Sequence, residues 1–300
     1  MTGGLPVITP SHASSGWPSA STRLAALIGH PVAHSLSPAL HQAAYRALAL
    51  DWAYLAFDVS SGSLEAAVTG ASALGFVGLS VTMPHKDAAA QLATRRSPIV
   101  RKLGAANTLS FSGRQIVADN TDGEGLIADL RQGVSFEPSD RRCAVIGAGG
   151  AARAVVVALA NAGASEVLVV NRTPSRAFQA ATLVPGRGRV ARPEELDAAD
   201  LVVNATPVGM LADSSRGGPG SDEVYVDASR FGSGQLVVDL VYDPPVTEWL
   251  AKAAASGARI RGGLGMLVHQ AALQVEIWTG SRAPLPEMWR AVGRRVTTRQ

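Results

Sequence analysis

The chain has 300 residues, of which 47% are hydrophobic and 17% are charged, so it is long enough for two domains and apolar enough to form their cores. This composition excludes an intrinsically disordered protein. No apolar stretch is long enough to predict a membrane span, and no run of Lys and Arg exceeds a pair. The net charge of +3 therefore does not indicate a nucleic-acid-binding tract.

Residues 1–22 contain no Asp, Glu, Lys or Arg and are rich in Ser, Pro and Gly. They lack the basic start and the apolar middle of a secretory signal, so we expect a disordered tail. The single cysteine, Cys143, cannot form an internal disulfide and begins an apolar strand, which is typical of a small buried hydrophobe. These features favour a reducing, cytoplasmic location.

Strands alternate with helices along the first half of the chain. Apolar runs predict strands over residues 24–29, 52–59 and 76–82, and helices over residues 38–50 and 64–74. Ser37 precedes Pro38 at the start of the first of these helices, in the arrangement of an N-cap and a first-turn proline. The alternation indicates an α/β fold with crossover connections.

The second half repeats the alternation with more strongly apolar strands. A helix is predicted to begin at Asp122, strands over residues 142–146, 166–170, 201–206 and 236–242, and further helices over residues 151–161 and 266–280. Strands that are apolar on both faces are typical of a parallel sheet that helices cover on both sides.

A glycine-rich turn joins the strand over residues 142–146 to the helix that follows it. Gly147, Gly149 and Ala152 fit the pattern G-x-G-x-x-G/A, which indicates dinucleotide binding when it stands between a strand and a helix. The first glycine permits the tight turn, and the second lets the backbone approach a pyrophosphate at the helix N-terminus. The predicted cofactor contacts of this turn are Gly147, Ala148, Gly149, Gly150 and Ala151. The alternative is a tight turn whose small residues serve packing alone.

The end of the next strand indicates which dinucleotide binds. An acidic residue there would accept hydrogen bonds from the ribose 2′-OH of NAD, but the chain has Asn171, Arg172 and Thr173, with Arg176 one turn further on. Two guanidinium groups and two neutral donors favour a 2′-phosphate, so these residues predict NADP. The alternative is a pair of surface arginines that solvate a loop.

Two chemically versatile side chains stand at strand ends. Only three of the 27 basic residues are lysines, and one of them, Lys86, ends the segment VTMPHK. A lysine can lose its proton and an arginine cannot, so Lys86 is a candidate proton donor. Asp122 stands at a helix start after another predicted strand, where it serves either as a partner of Lys86 or as an N-cap.

These segments together resemble the shikimate dehydrogenase family, and the resemblance extends from about Leu24 to Gly280. Its motifs stand in the family's order: GHPVAHSLSPALH (29–41), GLSVTMPHK (78–86), GAANT (104–108), DNTDGEG (119–125), GAGGAARA (147–154), NRT (171–173), NATPVGM (204–210), DLVYDPPVT (239–247) and GGLGMLVHQA (262–271). A series of motifs in one order is far more specific than the glycine pattern alone.

The resemblance implies an N-terminal α/β substrate domain with a mixed sheet and a Rossmann-type, doubly wound NADP-binding domain. It implies an oxidoreductase of the shikimate pathway, which leads to the aromatic amino acids. The reaction would be the reversible reduction of 3-dehydroshikimate to shikimate with NADPH. On this reading residues 1–121 bind substrate, residues 122–256 bind NADP, and residues 257–300 return to the substrate domain. The expected partner is the small-molecule substrate, with no nucleic acid or membrane, in a monomer or homodimer.

The resemblance also implies roles for individual residues. Lys86 and Asp122 form the catalytic pair, in which Lys86 exchanges the proton and Asp122 orients it. Substrate binding is implied for Ser35, Ser37, Thr82, Asn107, Tyr242 and Gln270, and a position near the nicotinamide for Leu240 and Gly263. The two serines would hold the substrate carboxylate and the two amides its hydroxyls, with N-capping as the alternative for Ser37.

Two residues depart from the family's usual pattern: Ser80 and Gln42 each stand where Asn is common. Two alternative functions stay open, namely a quinate/shikimate dehydrogenase with relaxed substrate or cofactor choice and a non-catalytic NADP-binding relative. A metal site formed by His30, His34 and His41 is disfavoured, because no acidic partner stands at helical spacing. We therefore expect no metal.

Overall fold

The structure is a computed structural model that describes residues 17–210 and 224–297, with side chains as far as residue 293. Most of the tail predicted over residues 1–22 thus lies outside the described residues. The chain divides into two compact units: the first comprises residues up to Ser97, Ala106–Asp119 and the chain from Ala271, and the second comprises Pro98–Ala105 and Asn120–Gln270. No helix within the described ranges is long and apolar enough to cross a membrane.

Strands and helices form at the apolar runs that predicted them, and the structure adds further elements between them. The first half contains β1 (Arg23–Gly29), α1 (Ser37–Ala47), β2 (Trp52–Asp58), α2 (Leu64–Ala73), β3 (Gly78–Val81), α3 (Lys86–Leu92), β4 (Arg95–Arg96), α4 (Pro98–Leu103), β5 (Thr108–Ser112) and β6 (Gln115–Asp119). The rest contains α5 (Asp122–Val134), β7 (Arg142–Ile146), α6 (Gly150–Asn161), β8 (Glu166–Val170), α7 (Pro174–Ala181), β9 (Gly188–Val190), β10 (Leu201–Asn204), β11 (Leu236–Asp239), α8 (Glu248–Ala255), β12 (Arg259–Arg261), α9 (Leu264–Thr279) and α10 (Leu285–Thr297).

The first unit is built on a mixed sheet in the order β2-β1-β3-β5-β6-β4. Strands β1, β2 and β3 run parallel, whereas β5 is antiparallel to both β3 and β6. The carboxyl ends of β1, β2 and β3 therefore meet the beginning of β5 at one edge. The polar residues that follow these strands are gathered there.

The second unit contains a fully parallel sheet in the order β12-β11-β10-β7-β8-β9. Read from β9, the chain order is 3-2-1-4-5-6, which is that of a doubly wound dinucleotide-binding sheet with its switch point between β7 and β10. The predicted α/β fold with a Rossmann-type unit is confirmed.

The units differ from the predicted boundaries in three places, the smallest of which is that Asn120 and Thr121 already belong to the second unit. Residues 257–270 belong to the second unit, and β12 is an edge strand of its sheet, so the return to the first unit comes at Ala271. The segment Pro98–Ala105 also belongs to the second unit, because Leu103 and Ala105 are buried in its core.

Polar side chains end the two central strands β10 and β11 earlier than predicted. The Asn204 side-chain oxygen accepts a hydrogen bond from the Thr206 N–H (3.1 Å), and the Asp239 carboxylate accepts one from the Val241 N–H (3.1 Å). Asn and Asp make such local turns readily, and these bonds replace the next step of the sheet ladder. The strands therefore stop at Asn204 and Asp239 instead of continuing to residues 206 and 242.

Asp239 links three elements of the second unit from a fully buried position. Besides the Val241 N–H, its carboxylate accepts hydrogen bonds from Asn204 Nδ2 (3.1 Å) and Thr247 Oγ1 (2.7 Å). Thr247 in turn caps α8 by accepting the Leu250 N–H (3.2 Å). Burial raises the pKa of Asp239 to about 6, although the three donors act in the opposite direction.

Helices α5 and α6 pack closely because α5 carries a glycine at their contact. A Cβ added at Gly123 would lie 2.7 Å from both the Ala154 carbonyl oxygen and the Ala158 Cβ, on the facing helix. The backbone cannot yield locally as a flexible side chain would, so the close approach depends on Gly123.

We expect Gly123→Ala to lower the free energy of unfolding by about 1–3 kcal/mol, the usual cost of overpacking a core. Gly70→Ala is the matched control, because Gly70 also lies inside a helix but its Cβ would meet no described atom within 4 Å. That change should stabilise the protein by about 0.5–1 kcal/mol. Urea unfolding measures both, and equal effects would contradict the packing argument.

Asp239→Asn should change how stability depends on pH. Because the native pKa is about 6 and the ordinary value is 3.8, the folded protein binds more protons than the unfolded chain between these values. The stability contributed by this carboxyl therefore falls as pH rises through this window. The stability of the variant relative to the original protein should rise by about 2 kcal/mol from pH 4 to 6 and level off above pH 7.

The measurement is unfolding of both proteins at several pH values from 4 to 8. Asp227→Asn is the control, because Asp227 is exposed and the Ser229 hydroxyl and N–H hold its pKa below the usual range. Its substitution should not produce this rise. A stability difference between Asp239→Asn and the original protein that does not vary with pH would contradict the prediction.

Candidate active site

The first unit brings Thr82 and Asn107 together at the carboxyl edge of its sheet. The Thr82 N–H donates to the Ile28 carbonyl (3.0 Å), which ties the end of β3 to the end of β1. The Val81 N–H donates to the Asn107 carbonyl (2.8 Å), which places the start of β5 on the other side. Asn107 is 2% exposed, and Thr82 is half-buried.

Lys86 lies at the same edge, as the first residue of α3. Its carbonyl accepts the Ala106 N–H (2.9 Å), so its backbone is joined to the segment that carries Asn107. The neighbouring His85 is buried, and its Nε2 lies 2.7 Å from the Val59 carbonyl, a contact that holds the loop after β3. His85 thus makes a packing contact, and the Lys86 side chain stays half-buried.

Ser35 and Ser37 follow β1, and the expected N-cap role of Ser37 is wrong. The N-cap position of α1 belongs to Leu36, and Ser37 is already the first helical residue. Its N–H donates to Ser35 Oγ (3.2 Å), and its carbonyl lies 3.0 Å from His41 Nδ1. The side chain of Ser37 is therefore not used to cap α1.

Asp122 begins α5 in the second unit and is 4% exposed. Its N–H donates to Asn120 Oδ1 (3.1 Å), and Thr121 holds the N-cap position, so the N-cap alternative for Asp122 is also wrong. The Thr121 hydroxyl donates to the Gln270 carbonyl (3.1 Å). A Cβ added at Gly125 would lie 2.8 Å from the Gln270 N, so Asp122 and Gln270 stand on closely packed helices.

The glycine-rich turn has the geometry that a dinucleotide requires. Gly147 has a φ of +113°, and its N–H donates to the Val170 carbonyl (2.8 Å), which fixes the turn between β7 and α6. A Cβ added at Gly149 would meet no atom of the described residues within 4 Å. Packing within the described chain thus does not require a glycine at residue 149, whereas close approach of a pyrophosphate does. Ala148 is buried, and Gly150 and Ala151 form the first turn of α6, whose N–H groups favour an anion.

The side chains predicted to bind the 2′-phosphate lie directly after β8. Asn171 Nδ2 donates to the Thr173 carbonyl (3.1 Å), and Thr173 is the N-cap of α7. The Arg176 N–H also donates to the Thr173 carbonyl (3.1 Å). Arg172 and Arg176 are both exposed, and residues 171–176 contain no carboxylate. This set of donors fits a phosphate on the ribose better than a free hydroxyl.

Leu240 and Tyr242 lie in the segment that follows the buried Asp239, and Gly263 is bonded to this segment. The Gly263 N–H donates to the Val241 carbonyl (3.0 Å), and a Cβ at Gly263 would collide with the Leu240 carbonyl oxygen. Gly263 is thus required by the backbone of residues 240–241. Tyr242 follows directly and is half-buried.

The predicted residues fall in both units. Ser35, Ser37, Thr82, Lys86 and Asn107 belong to the first unit, and all the others belong to the second. Sequence reasoning missed Asp239, which holds the segment after β11, and it missed Tyr54 and Gln274, which are buried in the first unit. Asp239 is a charged residue at the end of an apolar run, which is a usable signal, whereas nothing in the local sequence marks Tyr54 or Gln274.

His30, His41 and Cys143 lie in separate surroundings and contact other groups of the protein. His30 Nδ1 pairs with Asp58, and His41 is buried and stacks on Tyr54 with ring centroids 4.0 Å apart. Burial lowers the pKa of His41 to about 4. Cys143 is fully buried, and burial raises the pKa of its thiol to about 12. Within the part of the chain that the structure describes, no three His, Cys, Asp or Glu side chains form a group able to hold a metal ion.

Comparison with protein families matches three parts of the chain. Residues 27–109 match the shikimate dehydrogenase substrate binding domain, and residues 131–211 match a family described as shikimate / quinate 5-dehydrogenase. Residues 263–292 match the shikimate 5′-dehydrogenase C-terminal domain.

Individual proteins agree with these matches over most of the chain. The chain is 45% identical to the shikimate dehydrogenase (NADP(+)) of Methanopyrus kandleri, over 91% of this chain and 96% of that protein. A crystal structure of a shikimate dehydrogenase in complex with NADP+ superposes with a TM-score of 0.85 at 33% identity, over 94% of this chain and 98% of that one. The shikimate 5-dehydrogenase of Thermus thermophilus in complex with NADP(H) and shikimate has a TM-score of 0.80 at 37% identity, over 91% and 99%. The chain therefore belongs to the shikimate dehydrogenase family.

Proposed function

We propose that this protein is an NADP-dependent shikimate dehydrogenase, an oxidoreductase that reversibly reduces 3-dehydroshikimate to shikimate in the pathway to the aromatic amino acids. The observation that carries the proposal is the placement of Lys86 beside Thr82 and Asn107 at one sheet edge, in a chain that belongs to this family. A proton donor, a hydroxyl and an amide are the groups that a polyhydroxylated carbonyl substrate needs.

Lys86 and Asp122 carry the proton transfer in this proposal. When bound, NADPH supplies the hydride that reaches the carbonyl carbon. The Lys86 ammonium donates a proton to the carbonyl oxygen, so the carbonyl becomes the new hydroxyl, and the amine accepts the proton in the reverse direction. An arginine in its place would hold its proton too strongly. The Asp122 carboxylate orients the ammonium toward the carbonyl oxygen.

Short polar side chains bind the substrate in this proposal. Ser35 and Ser37 hold the carboxylate, and Asn107 and Gln270 hold hydroxyls, with Thr82 and Tyr242 as further contacts. Hydroxyl and amide groups suit a small acid that carries several hydroxyls, because each substrate oxygen taken out of water needs a partner. The first unit then serves mainly the substrate.

The second unit binds NADP in this proposal. Its glycine turn, Gly147 to Ala151, receives the pyrophosphate. Asn171, Arg172, Thr173 and Arg176 receive the 2′-phosphate, while Leu240 and Gly263 lie near the nicotinamide. The open space at Gly149 and the set of donors after β8 support this assignment.

Two further points belong to the proposal. A reducing, cytoplasmic location agrees with a single cysteine that is buried, and we propose a monomer or a homodimer. The alternative of a quinate/shikimate dehydrogenase with relaxed cofactor choice is disfavoured on the cofactor side by the two arginines after β8. A non-catalytic relative is disfavoured because both Lys86 and Asp122 are present.

Lys86→Ala should lower the rate of NADP reduction with shikimate by about 10²–10⁴-fold, because the general acid–base group is lost. The absorbance of NADPH measures the rate, with shikimate and quinate offered separately. Lys102→Ala is the matched control, since Lys102 is exposed on α4 and has no proposed role. No turnover of either substrate by the original protein, despite NADPH binding, would leave a non-catalytic relative.

Arg172→Ala should weaken NADP binding about 10- to 100-fold and leave NAD binding nearly unchanged, because a charge-assisted hydrogen bond to the 2′-phosphate is lost. Calorimetric titration of each dinucleotide measures the two affinities. Arg192→Ala serves as the control, since Arg192 is an exposed arginine of the same unit outside the proposed site. An equal loss for NADP and NAD would contradict a role for Arg172 in cofactor choice.

A further inference from the structure

Four polar side chains form a buried cluster in the first unit. Tyr54 lies on β2, Ser80 on β3, Thr108 on β5 and Gln274 on α9, and each is at most 4% exposed. A buried glutamine is uncommon, because its amide costs free energy unless both its donors and its oxygen are bonded. We call Tyr54, Ser80, Gln274 and Thr108 the polar relay.

The relay is a continuous chain of hydrogen bonds that runs in one direction. The Tyr54 hydroxyl donates to Ser80 Oγ (2.6 Å), and the Ser80 hydroxyl donates to Gln274 Oε1 (2.6 Å). Gln274 Nε2 donates to Thr108 Oγ1 (3.0 Å), and the Thr108 hydroxyl donates to Asn107 Oδ1 (2.7 Å). Each intermediate group accepts one bond and donates the next, so the order of donors is fixed and successive bonds strengthen one another.

The chain ends on a residue proposed to bind substrate. Gln274 Nε2 also donates to the Asn107 backbone carbonyl (3.1 Å), so the relay holds Asn107 at its main chain and at its side-chain oxygen. Because the Asn107 amide is planar, fixing Oδ1 toward Thr108 turns the NH₂ group away from it. The relay thus decides which end of this amide faces a substrate.

The residues around the polar relay keep its protons and its helix in place. Burial raises the pKa of Tyr54, so its hydroxyl keeps the proton that begins the chain. His41 stacks on the Tyr54 ring, and burial lowers the pKa of this imidazole to about 4, which keeps it neutral at ordinary pH. Trp278, one helical turn after Gln274, donates from Nε1 to the Leu109 carbonyl (3.2 Å) and so holds α9 along β5.

We infer that Gln274 is a positioning residue for substrate specificity, which acts with Ser80 and Tyr54 to present the Asn107 amide as a donor to a hydroxyl oxygen of the substrate. The inference rests on the proposed function, in which Asn107 binds a substrate hydroxyl. It adds three residues that touch neither substrate nor cofactor. It also requires that loss of these residues raises the KM for shikimate and leaves the KM for NADP unchanged.

Gln274→Met tests this, because methionine keeps the length of the side chain and removes its hydrogen bonds. Loss of one oriented hydrogen bond should raise the KM for shikimate about 10-fold, with the KM for NADP unchanged. Tyr45→Phe is the matched control, because the Tyr45 ring packs against Tyr54 and its buried hydroxyl has no hydrogen-bond partner among the described residues. It should leave both KM values unchanged.

A second variant shows whether the relay acts as one unit. Ser80→Ala alone should raise the KM for shikimate in the same way, but it should add little in the Gln274→Met background, since the chain is already broken. If the effects of the two changes on the KM for shikimate add, the inference that the relay acts as one unit is wrong. Ser80→Ala also serves where Gln274→Met does not fold, because it removes only one hydroxyl.

The outcomes separate this inference from the proposed function. An active original protein whose KM for shikimate is unchanged in Gln274→Met and Ser80→Ala overturns the inference alone. Equal rises in the KM values for shikimate and NADP, or a rise in Tyr45→Phe as large as in Gln274→Met, also overturn it, because they indicate a general loss of core packing. If the original protein turns over no shikimate, both the proposed function and this inference are wrong.

Discussion

Hydrogen bonds to buried polar groups shape the functional edge of both sheets. Strands that are apolar on both faces end where a polar side chain takes over the hydrogen bonds of the ladder. In the second unit Asn204 and Asp239 do this for β10 and β11. In the first unit Thr108 begins β5, and Gln274 donates to its hydroxyl and to the carbonyl of the preceding Asn107. The same bonds that satisfy these buried groups also fix the loops that carry chemistry.

Two glycines of the second unit illustrate two different reasons for lacking a side chain. At Gly263 a Cβ would collide with the Leu240 carbonyl oxygen, so the protein's own backbone excludes it. At Gly149 a Cβ would meet no described atom within 4 Å, so packing does not exclude a side chain there, whereas a glycine allows a pyrophosphate to approach the turn closely. Because the chain bears the entropic cost of a glycine at residue 149 without a gain in packing, that position points to ligand binding.

Prediction from sequence succeeded where a segment carries its own signal. The bounds of β7 and β8 and the start of α5 agree with the structure, because apolar runs and a glycine turn define them locally. Strands of two or three residues such as β4, β9 and β12 were not predicted, since pairing with a neighbour defines them rather than a pattern. The N-cap role of Ser37 was wrong because Leu36 takes that position. The bond between Ser80 and Gln274 spans 194 residues, and no local pattern could reveal it.

The polar relay gives a physical meaning to Ser80, which stands where the family usually has Asn. Its hydroxyl lies between Tyr54 and Gln274 at 2.6 Å from each, and the residue is 4% exposed, so one buried oxygen bridges two longer side chains. A hydroxyl can accept one bond and donate another from a single atom, which an amide does only with two separate atoms. The Ser80 hydroxyl therefore joins Tyr54 to Gln274 through a single atom. Ser80 and Gln274 have to be understood together, because removal of either polar group leaves the other without one of its hydrogen bonds in a buried position.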